Sequence, residues 1–314
     1  PQIPPARAVI NHKQPDCPYR DKNLSGVGVA FKLCQALWLR QCGEWYLDDL
    51  DIVALGTVAD VVPLVGENRI IVQAGLKKMN ELPNLGIDKL IDVAGLHDKT
   101  ITAGHIGFTL APRLNAAGRV THATRAVELL VTDDVDLAET IAQELQETNM
   151  ERQEIERSIH EEARANVAAQ GHLAGYVTVV AGENWHPGVI GIVASRLVEE
   201  FYKPTLVISI DNGVGKGSCR SIEGFNIYNA LKFCEDILIQ FGGHAAAAGF
   251  SIDASRIDEL RQRLTEYCKA HVSPDEYIPV VSIDATLPVD DIDVDIVDRV
   301  SALEPYGMGN STPI

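Results

Sequence analysis

Four short stretches of the chain hold residue types and spacings that could do chemistry. In Gly56-Thr57-Val58-Ala59-Asp60-Val61-Val62-Pro63-Leu64 a single acid follows an apolar run. A carboxylate among valines is costly to bury unless it is paired or bound to a metal, which makes Asp60 a candidate ligand. An N-cap or turn aspartate is the structural alternative. In Pro112-Arg113-Leu114-Asn115-Ala116-Ala117-Gly118-Arg119, small residues space two arginines and an asparagine so that a phosphate could come close. Arginine offers paired hydrogen bonds to phosphate oxygens. The alternative is a tight turn whose arginines pair with the acidic helix that follows.

The other two stretches are rich in glycine. Gly213-Val214-Gly215-Lys216-Gly217-Ser218-Cys219-Arg220-Ser221 reads as a loop whose backbone N–H groups and cations could cradle phosphates. It is not a Walker motif, because the spacing G-x-x-x-x-G-K-[ST] is absent. Gly242-Gly243-His244-Ala245-Ala246-Ala247-Ala248-Gly249 offers two glycines for close approach, a histidine that can donate to a phosphate oxygen, and four alanines for dense packing behind it. A structural histidine is the plainer reading of His244.

These residues need elements to hold them. Up to about residue 130, short apolar runs (Ala8 to Ile10, Asp51 to Val58) alternate with helical patterns such as Gly26 to Arg40, which predicts βαβ units and a parallel sheet. From Asp134 to about Ala169 there is no Pro or Gly, and Leu137, Ile141, Leu145, Ile155 and Ile159 recur at helical spacing. The polar centre of that helix, Gln146 to Gln153, predicts a segment exposed on most sides. Beyond Gly171 a second alternation predicts strands at Tyr176 to Ala181 and Pro204 to Ile210, helices at Val189 to Phe201, Ile227 to Cys234 and Ser255 to Ala270, and a strand at Ile278 to Leu287.

The net charge of −17 argues against a broadly basic nucleic-acid-binding surface. Residues 133 to 164 contribute −8 of it and residues 284 to 298 another −6, so the acid is concentrated in one helix and a tail and a local basic cleft remains open. No apolar run approaches the roughly 20 residues of a membrane span. Six scattered cysteines without a C-x-x-C pair argue against a zinc site and fit a reducing cytoplasm, most of them serving as small core residues. Pro1-Gln2-Ile3-Pro4-Pro5 lacks both an initiator Met and the order of a signal peptide, so a fragment of a longer protein is expected.

Gly242 to Gly249 matches the GGHxxAAG signature of the DHH-associated domain of the DHH phosphoesterase superfamily, and Gly56 to Leu64 matches that superfamily's fourth motif. Within it the chain resembles the RecJ-like exonucleases; Asn11 to Tyr19, Leu24 to Leu33, Pro112 to Arg119, Thr148 to Gln153, Trp185 to Leu197 and Glu304 to Asn310 are all similar to that family. The resemblance implies an α/β fold: the C-terminal part of a parallel-sheet DHH domain (1–133), a connecting helix (134–170), a smaller α/β DHH-associated domain (171–272) and the start of an OB-fold module (273–314). It implies 5′ to 3′ hydrolysis of single-stranded DNA with Mn²⁺ or Mg²⁺, in repair and recombination. Asp60 would hold metal, and Arg113, Asn115, Arg119, Lys216, Ser218, Arg220, Gly242, Gly243 and His244 would bind nucleic acid. A single-strand-binding protein and a helicase are the implied partners. Relatives commonly carry Gly where this chain has Cys219, which puts the close backbone approach at that loop in question. The earlier DHH motifs would lie before Pro1, so the chain alone is expected to be inactive. A phosphodiesterase for oligonucleotides or cyclic dinucleotides, a scaffold without metals and a pyrophosphatase are the competing readings.

Overall fold

The structure, a computed structural model, describes residues 3–120, 122–169 and 175–314. The expected boundary at 170/171 and the opening Pro1-Gln2 lie outside the described residues. Two compact units emerge: residues 1–149 with 282–314, and residues 150–281.

The first unit is built from helices: α1 (Gly26–Cys42), α2 (Leu50–Ala59), α3 (Gly66–Glu81), α4 (Leu85–Val93), α5 (Ala103–His105), α6 (Ala111–Val120), α7 (Thr124–Val131), the first part of α8 (Val135–Ala169) and, from the C-terminal segment, α12 (Val294–Ser301). Their core holds Leu55, Met79, Ile87, Leu90, Ile106, Leu110, Leu129 and Ile141, all at most 2% exposed. No strand occurs here among the described residues, which corrects the predicted βαβ pattern. Asp51 to Val58 is helical because a short apolar run buried on several sides has no period that separates strand from helix. Its neighbours press close: a Cβ at Gly75 of α3 would stand 2.2 Å from the Leu50 carbonyl, and one at Gly56 would stand 2.8 Å from Val27 of α1. Ala8 to Ile10 and Ile278 to Leu287 run without ladder partners, Ile10 and Val280 largely exposed, so neither is a strand.

Helix α8 runs as expected, and in its polar centre only Asn149 and Arg152 are buried while Glu147, Met150, Glu151 and Gln153 are exposed. Asn149, Arg152 and Glu156 are buried along one stripe, three and four residues apart. Glu156 can be buried because it pairs with Arg152 and with Arg196.

The second unit is α/β. Its five-stranded sheet has the order β1-β2-β3-β5-β4, from β1 (Thr178–Glu183), β2 (Thr205–Asp211), β3 (Val214–Arg220), β4 (Leu238–Gly243) and β5 (Ala247–Asp253). β1 and β2 are parallel, joined through α9 (Ile190–Phe201); the remaining pairs are antiparallel. One face packs on α10 (Ile227–Phe233) and α11 (Ile257–His271) through Leu206, Ile208, Cys219, Phe250, Leu231 and Leu264. On the other, Val180 and Val207 lie against α9 and the C-terminal half of α8. The α/β class therefore holds, with the sheet carried by the second unit.

Candidate metal carboxylate and nucleic-acid face

In the first unit Asp60 is the C-terminal cap of α2, its N–H bonded to Gly56 O. The apolar residues of α2 bury the helix and leave the carboxylate, one residue past its end, exposed to solvent. It makes no side-chain hydrogen bond or ion pair among the described residues. The negative end of the helix macrodipole disfavours an anion there, so a cation beside it would be favoured. Asp60 shares a cavity of about 340 Å³ with Ser25, Gly26, Val27, Gly56, Ala59 and Asn115.

Pro112 to Arg119 is helix α6 rather than a turn, entered through one wide π-type turn at Ile106–Leu110. Helical spacing then sorts its residues. Asn115 and Arg119, four apart, share an exposed face, and Asn115 reaches the Asp60 cavity. Arg113 points elsewhere: it is half-buried, donates from Nη1 to Thr109 O at 2.5 Å, and its burial lowers the guanidinium pKa. The helix thus separates Arg113 from the other two.

Among the described residues no three His, Cys, Asp or Glu side chains converge as a metal cluster. Asp60 suits a hard divalent cation as one oxygen ligand, but a two-ion site needs several more. The described residues alone do not make such a centre.

In the second unit, Val214 to Arg220 is strand β3, hydrogen-bonded on both edges to β2 and β5. That corrects the expected backbone cradle, since the strand's N–H groups are spent in the ladder. Its glycines serve packing: a Cβ at Gly217 would stand 2.2 Å from the Phe250 ring, and one at Gly215 would stand 2.9 Å from Ile208. Alternation puts Lys216, Ser218 and Arg220 on the opposite face. Cys219 points into the core and is fully buried, so its side chain takes no part in that face, whatever residue relatives carry there.

On that face Ser218 pairs across the sheet with Gly249 of β5, and Gly249 with Gly242 of β4; Lys216 pairs with Ser251, and Ser251 with Gln240. A cavity of about 690 Å³ lies over them, rimmed by Pro187 and Ile190. Arg220 Nη1 donates to Ser218 Oγ at 3.3 Å and to Cys219 O at 2.8 Å. The first turn of α9 abuts both: a Cβ at Gly191 would stand 3.0 Å from Ser218 Oγ and 3.1 Å from Arg220 Nη2.

His244 sits in the exposed turn between β4 and β5. Its Nδ1 accepts from Ala246 N at 3.3 Å, leaving Nε2–H of the neutral ring as a donor. The turn is tied down by Ser221 N to Ala246 O and Ile227 N to Ala245 O, both 3.0 Å. Of the four alanines only Ala248 is buried.

Sequence reasoning passed over two features. Asn212-Gly213, both with positive φ, closes the β2–β3 hairpin, and Asn-Gly between apolar runs is a strong hairpin signal. Gly191 inside a helical pattern also called for a packing or functional reason.

A family model described as DHHA1 domain matches residues 173–270. The single-stranded-DNA-specific exonuclease RecJ of Bacillus subtilis is 44% identical over the whole chain, which covers 39% of that protein. The Escherichia coli protein of the same name is 35% identical over 99% of the chain, which covers 58% of it. The chain thus spans about half the length of the curated relatives it matches. The crystal structure of RecJ in complex with Mn²⁺ from Thermus thermophilus superposes with a TM-score of 0.88 at 33% identity, over 99% of this chain and 46% of that one. A crystal structure of exonuclease RecJ bound to manganese superposes with a TM-score of 0.72 at 34% identity, over 88% of this chain and 68% of that one.

Proposed function

The chain belongs to the RecJ family, and from that membership we propose that it is the part of a single-stranded-DNA-specific 5′ to 3′ exonuclease that carries the DNA-gripping face and one metal carboxylate. The observation that carries this reading is the outward face of β3. There Ser218 and Arg220 meet the first turn of α9, so a hydroxyl, a guanidinium and helix N-terminal amides gather where an anion is favoured. Lys216 extends the cationic side, Gly242 and Gly249 leave room for a backbone, Gly243 shapes the turn beside them, and His244 adds a donor. Asn115 and Arg119 share a face of α6 suited to another phosphate, with Arg113 as a half-buried anchor.

Asp60 would supply one oxygen ligand to Mn²⁺ or Mg²⁺, the ions named with the RecJ structures. Such ions, when bound, activate water and neutralise the charge that develops on the phosphoryl oxygens. The protein would act in the cytoplasm in DNA repair and recombination, with a single-strand-binding protein and a helicase as partners; the residues from 273 onward are read as the start of an OB-fold module.

The test is nucleotide release from 5′-labelled single-stranded DNA with manganese, by the full-length protein and by this chain alone. The full-length protein should degrade the strand, and the chain alone should bind DNA without cutting it. Full-length protein inert toward single strands but active on pyrophosphate or cyclic dinucleotides would overturn the reading.

A further inference from the structure

We propose that Arg69 and the turn at residues 302–310 form a brace that positions Asp60; the inference rests on the metal role given to Asp60 above. The residue after Asp60 needs outside support. Val61 has φ of 55° and is 68% exposed, a left-handed conformation that a β-branched residue holds only where its surroundings dictate it.

Two anchors hold the segment that follows. One is local: Asn68, fully buried, donates from Nδ2 to Pro63 O at 3.0 Å and to Asn23 O at 2.8 Å. The other comes from the far end of the sequence, where Leu64 N donates to Met308 O at 2.7 Å. The contact is close-packed, since a Cβ at Gly307 would stand 2.7 Å from Leu64 Cδ1 and one at Gly309 would stand 3.1 Å from Pro63 Cβ. Leu64 itself is 2% exposed.

The turn is stiff enough to transmit a position. Gly307 and Asn310 exchange backbone hydrogen bonds at 2.9 and 3.1 Å. Asn310 Nδ2 also donates to Leu303 O and Pro305 O, at 3.0 and 2.9 Å. Arg69, on the first turns of α3, closes the arrangement: its Nη2 donates to Leu303 O at 2.8 Å and to Glu304 O at 3.1 Å. A guanidinium bridging successive carbonyls beyond the C-terminal end of α12 is favoured by the helix dipole as well as by the hydrogen bonds. Residues 302–310 therefore grip the chain at the third to fifth positions after Asp60. Arg69 touches neither Asp60 nor its cavity, and it acts as a positioning residue through the turn.

Groups that orient a metal ligand typically change metal affinity by about 10- to 100-fold when removed. In the full-length protein, Arg69→Ala should raise the manganese concentration for half-maximal exonuclease activity by about tenfold, leaving KM for DNA at saturating manganese unchanged. Arg69→Lys, which can still donate to one carbonyl, should recover part of the effect. In this chain without metal, the Leu64 amide should exchange hydrogen faster in Arg69→Ala while β2 amides keep their protection. An active parent whose folded Arg69→Ala keeps the wild-type manganese dependence overturns the brace and leaves the nuclease reading intact. A full-length parent that cuts no single strands overturns that reading, and the brace with it.

Discussion

Gly242 and Gly243 adjoin in the chain but answer to different constraints: a Cβ at Gly242 would meet nothing within 4 Å, whereas one at Gly243 would stand 2.5 Å from both Ala247 O and Ala248 Cα. Gly243 also has φ of 147°, outside the range that side-chain-bearing residues readily adopt. The fold requires the second glycine and leaves the first free for a ligand.

Gly243→Ala should therefore destabilise the second unit by roughly 1–3 kcal/mol, the usual scale of forced backbone strain. Gly242→Ala should leave the melting temperature near wild type while weakening binding of single-stranded DNA. Thermal melts beside fluorescence anisotropy separate the two, and equal losses of stability would refute the distinction.

Arg220 is held by Ser218 Oγ and Cys219 O on the face given to the DNA backbone. If it neutralises one phosphate, Arg220→Ala should reduce the salt slope of single-strand binding by roughly 0.7. An unchanged slope would assign the arginine a purely structural role.

Glu156 is 1% exposed and pairs with both Arg152 and Arg196. Arg152 is only 10% exposed but Arg196 is 54% exposed, so loss of the carboxylate falls chiefly on Arg152, and Glu156→Ala should cost about 1–3 kcal/mol. Urea unfolding measures this directly, and a loss near zero would mean that the arginines find water or other partners.

Cys234 and Cys268 lie in one core with Cys219, and burial raises their thiol pKa values from 9.0 to about 11 and about 12. Below pH 9 each thiol is protonated whether folded or unfolded, and stability is unaffected. Above it the unfolded chain ionises first, so stability should fall from pH 9 to about 11 through Cys234 and on to about 12 through Cys268. Melting temperatures across pH 8 to 11 would show the decline. Native alkylation at pH 8 should mark exposed Cys34 and Cys42 and spare the three buried thiols.

The residues by themselves determined the family resemblance, the helix from 134 to 169, and in the second unit β1, β2 and the helices α9, α10 and α11. Those features are local: helical spacing, glycine placement and apolar runs act over a few residues. The tertiary structure decided the rest. Asp51 to Val58 became a helix because α1 and α3 close around it, a fact no local period contains. Lys216, Ser218 and Arg220 became a side-chain face, and not a backbone cradle, because β2 and β5 consumed the N–H groups of β3. Arg113 parted from Asn115 once α6 formed. The contact between Leu64 and Met308 joins positions far apart in sequence, and only folding brings such backbone groups within hydrogen-bond reach.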